Sequence, residues 1–140
     1  MQNKALTKAQ ANDWAALAFI GDAVYEIYVR KHVLSQAYCE DGAEHSAKVD
    51  ALHHHTVDFV KAEGQAHAMK AMMDELPEEY REIVRKARNH KPHSVPKHAD
   101  VMDYKWATAF EALLGYLYLE EKTEELERIA ARAIEITEND

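Results

Sequence analysis

Apolar residues recur at three- and four-residue spacing along most of the chain, and no stretch alternates apolar with polar residues long enough to suggest a sheet strand. Four glycines and three prolines leave little turn material. The pattern predicts an all-α fold of six helices, near 7–35, 44–63, 64–75, 77–89, 103–121 and 123–137. Trp14, Leu17, Ile20, Gly21, Val24, Ile27 and Tyr28 form one stripe on the first helix, and Trp106, Phe110, Leu113, Leu114 and Leu117 form another on the fifth. Pro77 fits the first turn of the fourth helix, with Glu78 and Glu79 well placed against the helix dipole. The last helix, with Leu126, Ile129, Ala133 and Ile136 on one side, reads as a packing helix with a solvated outer face. Between Asn89 and Asp103 runs one long irregular segment, NHKPHSVPKHADVMD, broken by Pro92 and Pro96. Loops of that length in compact domains are usually functional or disordered. No internal repeat or second domain is visible, so the expectation is a single domain over 1–140.

Composition narrows the setting. No apolar run approaches the roughly 18 residues that a membrane span requires. Residues 1–16 lack the continuous apolar stretch of an export signal, and a lone Cys39 cannot form an internal disulfide. A soluble, reducing, cytoplasmic protein is expected, with Cys39 an ordinary thiol. The net charge of −8 argues at first against a polyanionic partner. Its distribution reverses that inference. Residues 81–105 carry seven lysines and arginines against three acids, whereas 120–140 carry eight acids against three bases.

Two acids stand out within these helices. Asp22 lies in LAFIGDAVYEIYVR and Glu111 in AFEALLGYLYLE, each within an otherwise small or apolar face. At about 100° per residue, Asp22 shares its side with Ala15, Ala18, Tyr25, Glu26 and Val29, and Glu111 shares its side with Tyr104, Ala107, Thr108, Leu114, Gly115 and Tyr118. A carboxylate on a packing face is costly to desolvate unless a cation or donor meets it. Small neighbours let another helix approach, so the two acids are candidates to share one magnesium ion, which accepts one or two carboxylates and keeps waters for a phosphate to displace. The competing reading makes each acid half of an ion pair or a partly exposed residue. Glu26 offers either an outer-sphere contact or a pair with Arg30 one turn on. The consecutive His53, His54 and His55 point about 100° apart on a helix and are expected at the surface. His90, His93 and His98 are better read as loop residues that face a polyanionic partner or solvent than as a zinc site.

The stretch FIGDAVYEIYVRKHVL resembles the first conserved helix of ribonuclease III catalytic domains, and TAFEALLGYLYLE resembles their second acidic helix, in the same order and separation. GDAVYEIYVR, RNHK at 88–91, VPK at 95–97 and TAFEALLGYLYLE together resemble the small bacterial branch called Mini-ribonuclease III, over nearly the whole chain. That resemblance implies a helical, two-fold homodimer without an appended double-stranded-RNA-binding domain. It also implies magnesium-dependent cleavage of double-stranded RNA that trims the ends of precursor 23S ribosomal RNA and leaves 5′-phosphate and 3′-hydroxyl ends. A ribosomal protein on the substrate is a further partner to consider.

By the same resemblance Asp22 and Glu111 are the catalytic, metal-holding acids. The family pattern has an acid four residues before the first and three before the second, where this chain has Ala18 and Thr108. The thinned set suits one magnesium better than a permanently occupied two-metal site. RNA contact is expected from the basic face of the fourth helix, Arg81, Arg85 and Arg88, and from Asn89, Lys91, Ser94 and Lys97 in the loop, since A-form RNA is gripped through phosphates and 2′-hydroxyls. A solvated basic surface is the alternative for the arginines. Cutting both strands calls for a second site, which a two-fold dimer supplies, with a seam expected on the first helix that includes Tyr25 and Tyr28. Two other classes stay open: a non-catalytic helical dimer that binds duplex RNA, and a metal-dependent nucleotide phosphohydrolase.

Overall fold

A computed structural model describes residues 6–41, 48–92 and 94–139, with side chains described throughout except at 39–41. His93 and the Cys39 side chain therefore lie outside the described set. The described residues are helical and contain no strand: α1 (Lys8–Ala11), α2 (Trp14–Asp41), α3 (Val49–Val60), α4 (Ala62–Met72, followed by a 3₁₀ turn at Met73–Glu75), α5 (Glu78–Asn89), α6 (Val101–Leu119) and α7 (Thr123–Glu138). No described helix is long and apolar enough to cross a membrane.

The predicted first helix is two helices. Thr7 and Gln10 form a reciprocal capping box on α1, which ends at Ala11. Asp13 then restarts the chain as α2 by accepting a hydrogen bond from the Ala16 N–H at 3.3 Å. At the other boundary shift, α6 starts at Val101 because the Asp100 side chain caps the Asp103 N–H at 2.9 Å.

Helix α6 is the centre of the molecule. Ala107, Ala109, Phe110, Ala112, Leu113, Leu114, Gly115 and Leu117 are buried around its circumference, because α2, α4, α5 and α7 all pack on it. A helix apolar on every side belongs in such a position. Outer helices have one buried side: Tyr80, Val84 and Ala87 on α5, and Leu126, Ile129, Ala130, Ala133, Ile134 and Ile136 on α7. The Tyr80 hydroxyl donates to Glu125, tying α5 to α7.

The exposed side of α2 differs from expectation. Tyr25, expected at a dimer seam, is buried with its ring edge-on to Phe110 at 4.8 Å, and Tyr28 packs against the core. Ile27, expected in the buried stripe, is 61% exposed, and Phe19 is 82% exposed. The cause is the succession of partners: α2 meets α6, α3 and α7 along its length, so its buried face follows those contacts.

Candidate active site

Helix α2 crosses α6 at close range. A Cβ on Gly21 would collide with the backbone carbonyl of Glu111, and one on Gly115 would collide with the carbonyl of Leu17. Glycine here answers a need for space, since backbone meets backbone. The residues beside that contact are Asp22, exposed at the rim, and Glu111, half-buried below it. Their side chains are hydrogen-bonded to each other. Burial first, then the Asp22 charge and that shared hydrogen bond, push the Glu111 carboxyl up to about 8. A hydrogen bond from Gln65 acts in the opposite direction.

Gln65 is the site residue that sequence reasoning missed. It is 2% exposed on α4, and its Nε2 donates to the Val60 carbonyl at 3.1 Å. The available sign was a polar residue within a run of small and apolar ones, Ala66, Ala68 and Met69, all buried. Glu26 does not join the pair; its Oε1 accepts from Arg30 Nε at 2.8 Å.

Two carboxylates that repel one another when both are ionised fit a small hard cation, which offsets both the burial and the repulsion that raise Glu111. Among the described residues no cluster of three or more His, Cys, Asp or Glu side chains could hold a metal. Any ion here would therefore take two protein carboxylates and fill its shell with water and phosphate oxygens, the pattern magnesium favours. Beside Glu111 opens a cleft of about 260 Å³ whose walls include Ala18, Thr108, Trp14, Tyr104, Lys105 and Ser94. Ala18 and Thr108, the positions where the resembled family carries further acids, thus face open space.

The expected RNA contacts fall into two groups. Arg81 Nη2 pairs with Glu78 at 2.9 Å, and Arg85 Nη1 pairs with Glu78 and Glu82 at 2.9 and 3.0 Å. Arg88 donates to Asn89 and stacks over the Trp106 ring, 4.8 Å from its centroid. Lys91, Ser94 and Lys97, by contrast, are exposed on the loop, and the two lysines make no ion pair among the described residues. His53, His54, His55, His90 and His98 are exposed.

Residues 15–122 match the model of the ribonuclease III domain, a span that holds both acids and the glycine crossing. The chain belongs to the ribonuclease III family. Within that family it is similar to Mini-ribonuclease 3 of Brevibacillus brevis, at 38% identity over the whole of this chain and 99% of that protein. It is 43% identical to Mini-ribonuclease 3 of a Thermoanaerobacter species, over 87% of this chain and 80% of the relative. Among solved structures, a crystal structure of a Fusobacterium nucleatum protein superposes with a TM-score of 0.71 at 33% identity, covering 87% of this chain and 91% of that one.

Proposed function

We propose that this protein is a divalent-metal-dependent endoribonuclease that cuts double-stranded RNA, with Asp22 and Glu111 as the catalytic, magnesium-holding acids. The observation that carries the reading is their convergence at the Gly21–Gly115 crossing, inside the segment that matches the ribonuclease III domain. The natural substrate is the precursor of 23S ribosomal RNA, and the setting is the cytoplasm. A ribosomal protein on that precursor is a candidate accessory.

Asp22 at the rim and Glu111 beneath it would hold the cation from two helices, and the Gln65 hydrogen bond to Glu111 favours the ionised carboxylate that such binding needs. When bound, magnesium lowers the pKa of a water and offsets charge on the phosphate. No side-chain nucleophile is needed: water adds to phosphorus, the bond to the 3′ oxygen breaks, and the products carry 5′-phosphate and 3′-hydroxyl ends. The half-buried position of Glu111 removes competing bulk water from one side of the site. Lys91, Ser94, Lys97 and Asn89, with Arg81, Arg85 and Arg88 behind them, supply the grip on the RNA backbone.

A two-fold partner would bring a second acid pair to the opposite strand. Phe19, Ala23 and Ile27 lie at four-residue spacing on the exposed side of α2, beside Asp22, and form the apolar face that such a partner would cover.

The test is Asp22→Asn incubated with precursor 23S ribosomal RNA and magnesium, with sedimentation of the same sample. We expect a dimer that binds duplex RNA yet loses at least ~10³-fold in cleavage rate, the scale of several kcal/mol of lost metal-borne stabilisation. Full activity in the variant would overturn the assignment of the acids, and a monomer would overturn the paired cut.

A further inference from the structure

The reaction assigned above leaves one charge unmatched. As water adds, the phosphate gains negative charge on its non-bridging oxygens, while two carboxylates already offset the two positive charges of a single magnesium. Where further acids could have held another ion, this chain has Ala18, 8% exposed, and Thr108. The extra positive charge must then come from a side chain.

The cleft that reaches Glu111 identifies one. Lys105 and His90 are the basic residues in its wall, and of these Lys105 shares α6 with Glu111. Lys105, Thr108 and Glu111 succeed one another at three-residue steps along α6 and line the same cleft. Neighbouring helix cations are engaged elsewhere: Lys70 Nζ lies 3.8 Å from Asp103, Arg88 stacks on Trp106, and Arg81, Arg85 and Lys86 pair with Glu78 or Glu82. Lys91, unpaired among the described residues, is exposed on the loop and is not part of the cleft wall. Lys105 makes no ion pair among the described residues, although it is only half-exposed. A cation left unneutralised in the wall of a carboxylate-ended cleft is placed to meet an anion that arrives there.

We propose that Lys105 is a catalytic residue whose ammonium contacts a non-bridging oxygen of the scissile phosphodiester and stabilises the charge that develops as the bond to the 3′ oxygen breaks. The inference rests on the function proposed above and names a further residue of the same site. It adds no co-reactant: the attacking water supplies the new oxygen and loses one proton to solvent, and the departing 3′ oxygen takes one proton from solvent and ends as a hydroxyl.

Lys105→Ala, Lys105→Arg and Asp22→Asn are compared on one duplex RNA, with Kd measured in a chelator and the cleavage rate measured at saturating protein with magnesium. We expect Lys105→Ala to lower the rate about 10²-fold with Kd within threefold of the parent, and Lys105→Arg to restore most of it, because the charge is kept. A rate within twofold of the parent would overturn the inference. So would a loss confined to Kd, which would make Lys105 a grip on a remote phosphate, or an arginine variant as slow as the alanine one. Circular dichroism melts of both lysine variants exclude unfolding as the cause. Activity retained in Asp22→Asn would instead overturn the function itself, so the two failures are distinct.

Discussion

At the α2–α6 crossing two acids are held together by backbone packed on backbone, whereas along α5 unlike charges pair on the outer face and neutralise one another. Ionising both acids at the crossing is unfavourable, because burial first and the Asp22 charge second raise Glu111, and the pairing persists because the glycine contact and the surrounding apolar helices fix it. The α5 arrangement is weak and salt-sensitive, as exposed ion pairs are. An arrangement of charge that the fold must enforce points to a site. Charges that satisfy themselves carry less information, which is why Lys91, Lys97 and Lys105, without carboxylate partners among the described residues, stand apart from the arginines of α5.

The strongest way to break this contrast is to separate the crossing. Gly21→Ala puts a methyl group against the Glu111 carbonyl, so either α2 or α6 must move. We expect a loss of ~3 kcal/mol in unfolding free energy, the upper end for overpacking, and a fall of ~10²-fold in cleavage rate from displaced acids. A thermal melt with a cleavage assay checks both, and a variant with parental values would show that the close approach is dispensable.

A medium-sized effect sharpens the electrostatic half. Because the folded Glu111 carboxyl lies above its ordinary value, the folded state holds that proton more tightly than the unfolded chain does. That stability is fully present below about 4.5 and is lost as pH rises toward about 8. In a chelating buffer the melting temperature should therefore fall across this window, by on the order of 5 °C, and Asp22→Asn should reduce the fall by removing the neighbouring charge. Magnesium should oppose the trend at the upper end. A chelated protein whose melting temperature is flat over that range would contradict the shared site.

The smallest expected effect lies at the basic end. Replacing Lys91 and Lys97 with alanine should reduce the salt dependence of duplex binding by about one logarithmic unit of slope per lysine, with the cleavage rate at saturation unchanged. Binding measured across a salt series decides this, and an unaltered slope removes both from the interface.

The helical fold was legible because amphipathic segments such as α5 and α7 each turn one side to the core, and a 3.6-residue period records that directly. The orientation of α2 was not legible. A helix that changes partners along its length has no single buried face, so Ile27 and Tyr25 exchanged expected positions. The break at Asn12–Asp13 was missed because it depends on a cap, and caps are local contacts that a sequence suggests but does not compel. Asp22 and Glu111 could be singled out as acids on small-residue faces, and the flanking glycines hinted at close approach. Gln65 left only the sign of a polar residue among small and apolar ones, because its role toward Glu111 exists only once α4 packs beside α6.

The glycine crossing also has a mechanical consequence. A joint where backbone meets backbone, with only the Ile20 side chain alongside, has little compliance, so strain elsewhere in the bundle should rotate α2 and α6 about that point before it changes the gap there. Substitutions at distant packing positions should therefore alter how firmly the molecule holds together well before they alter the span between the two acids.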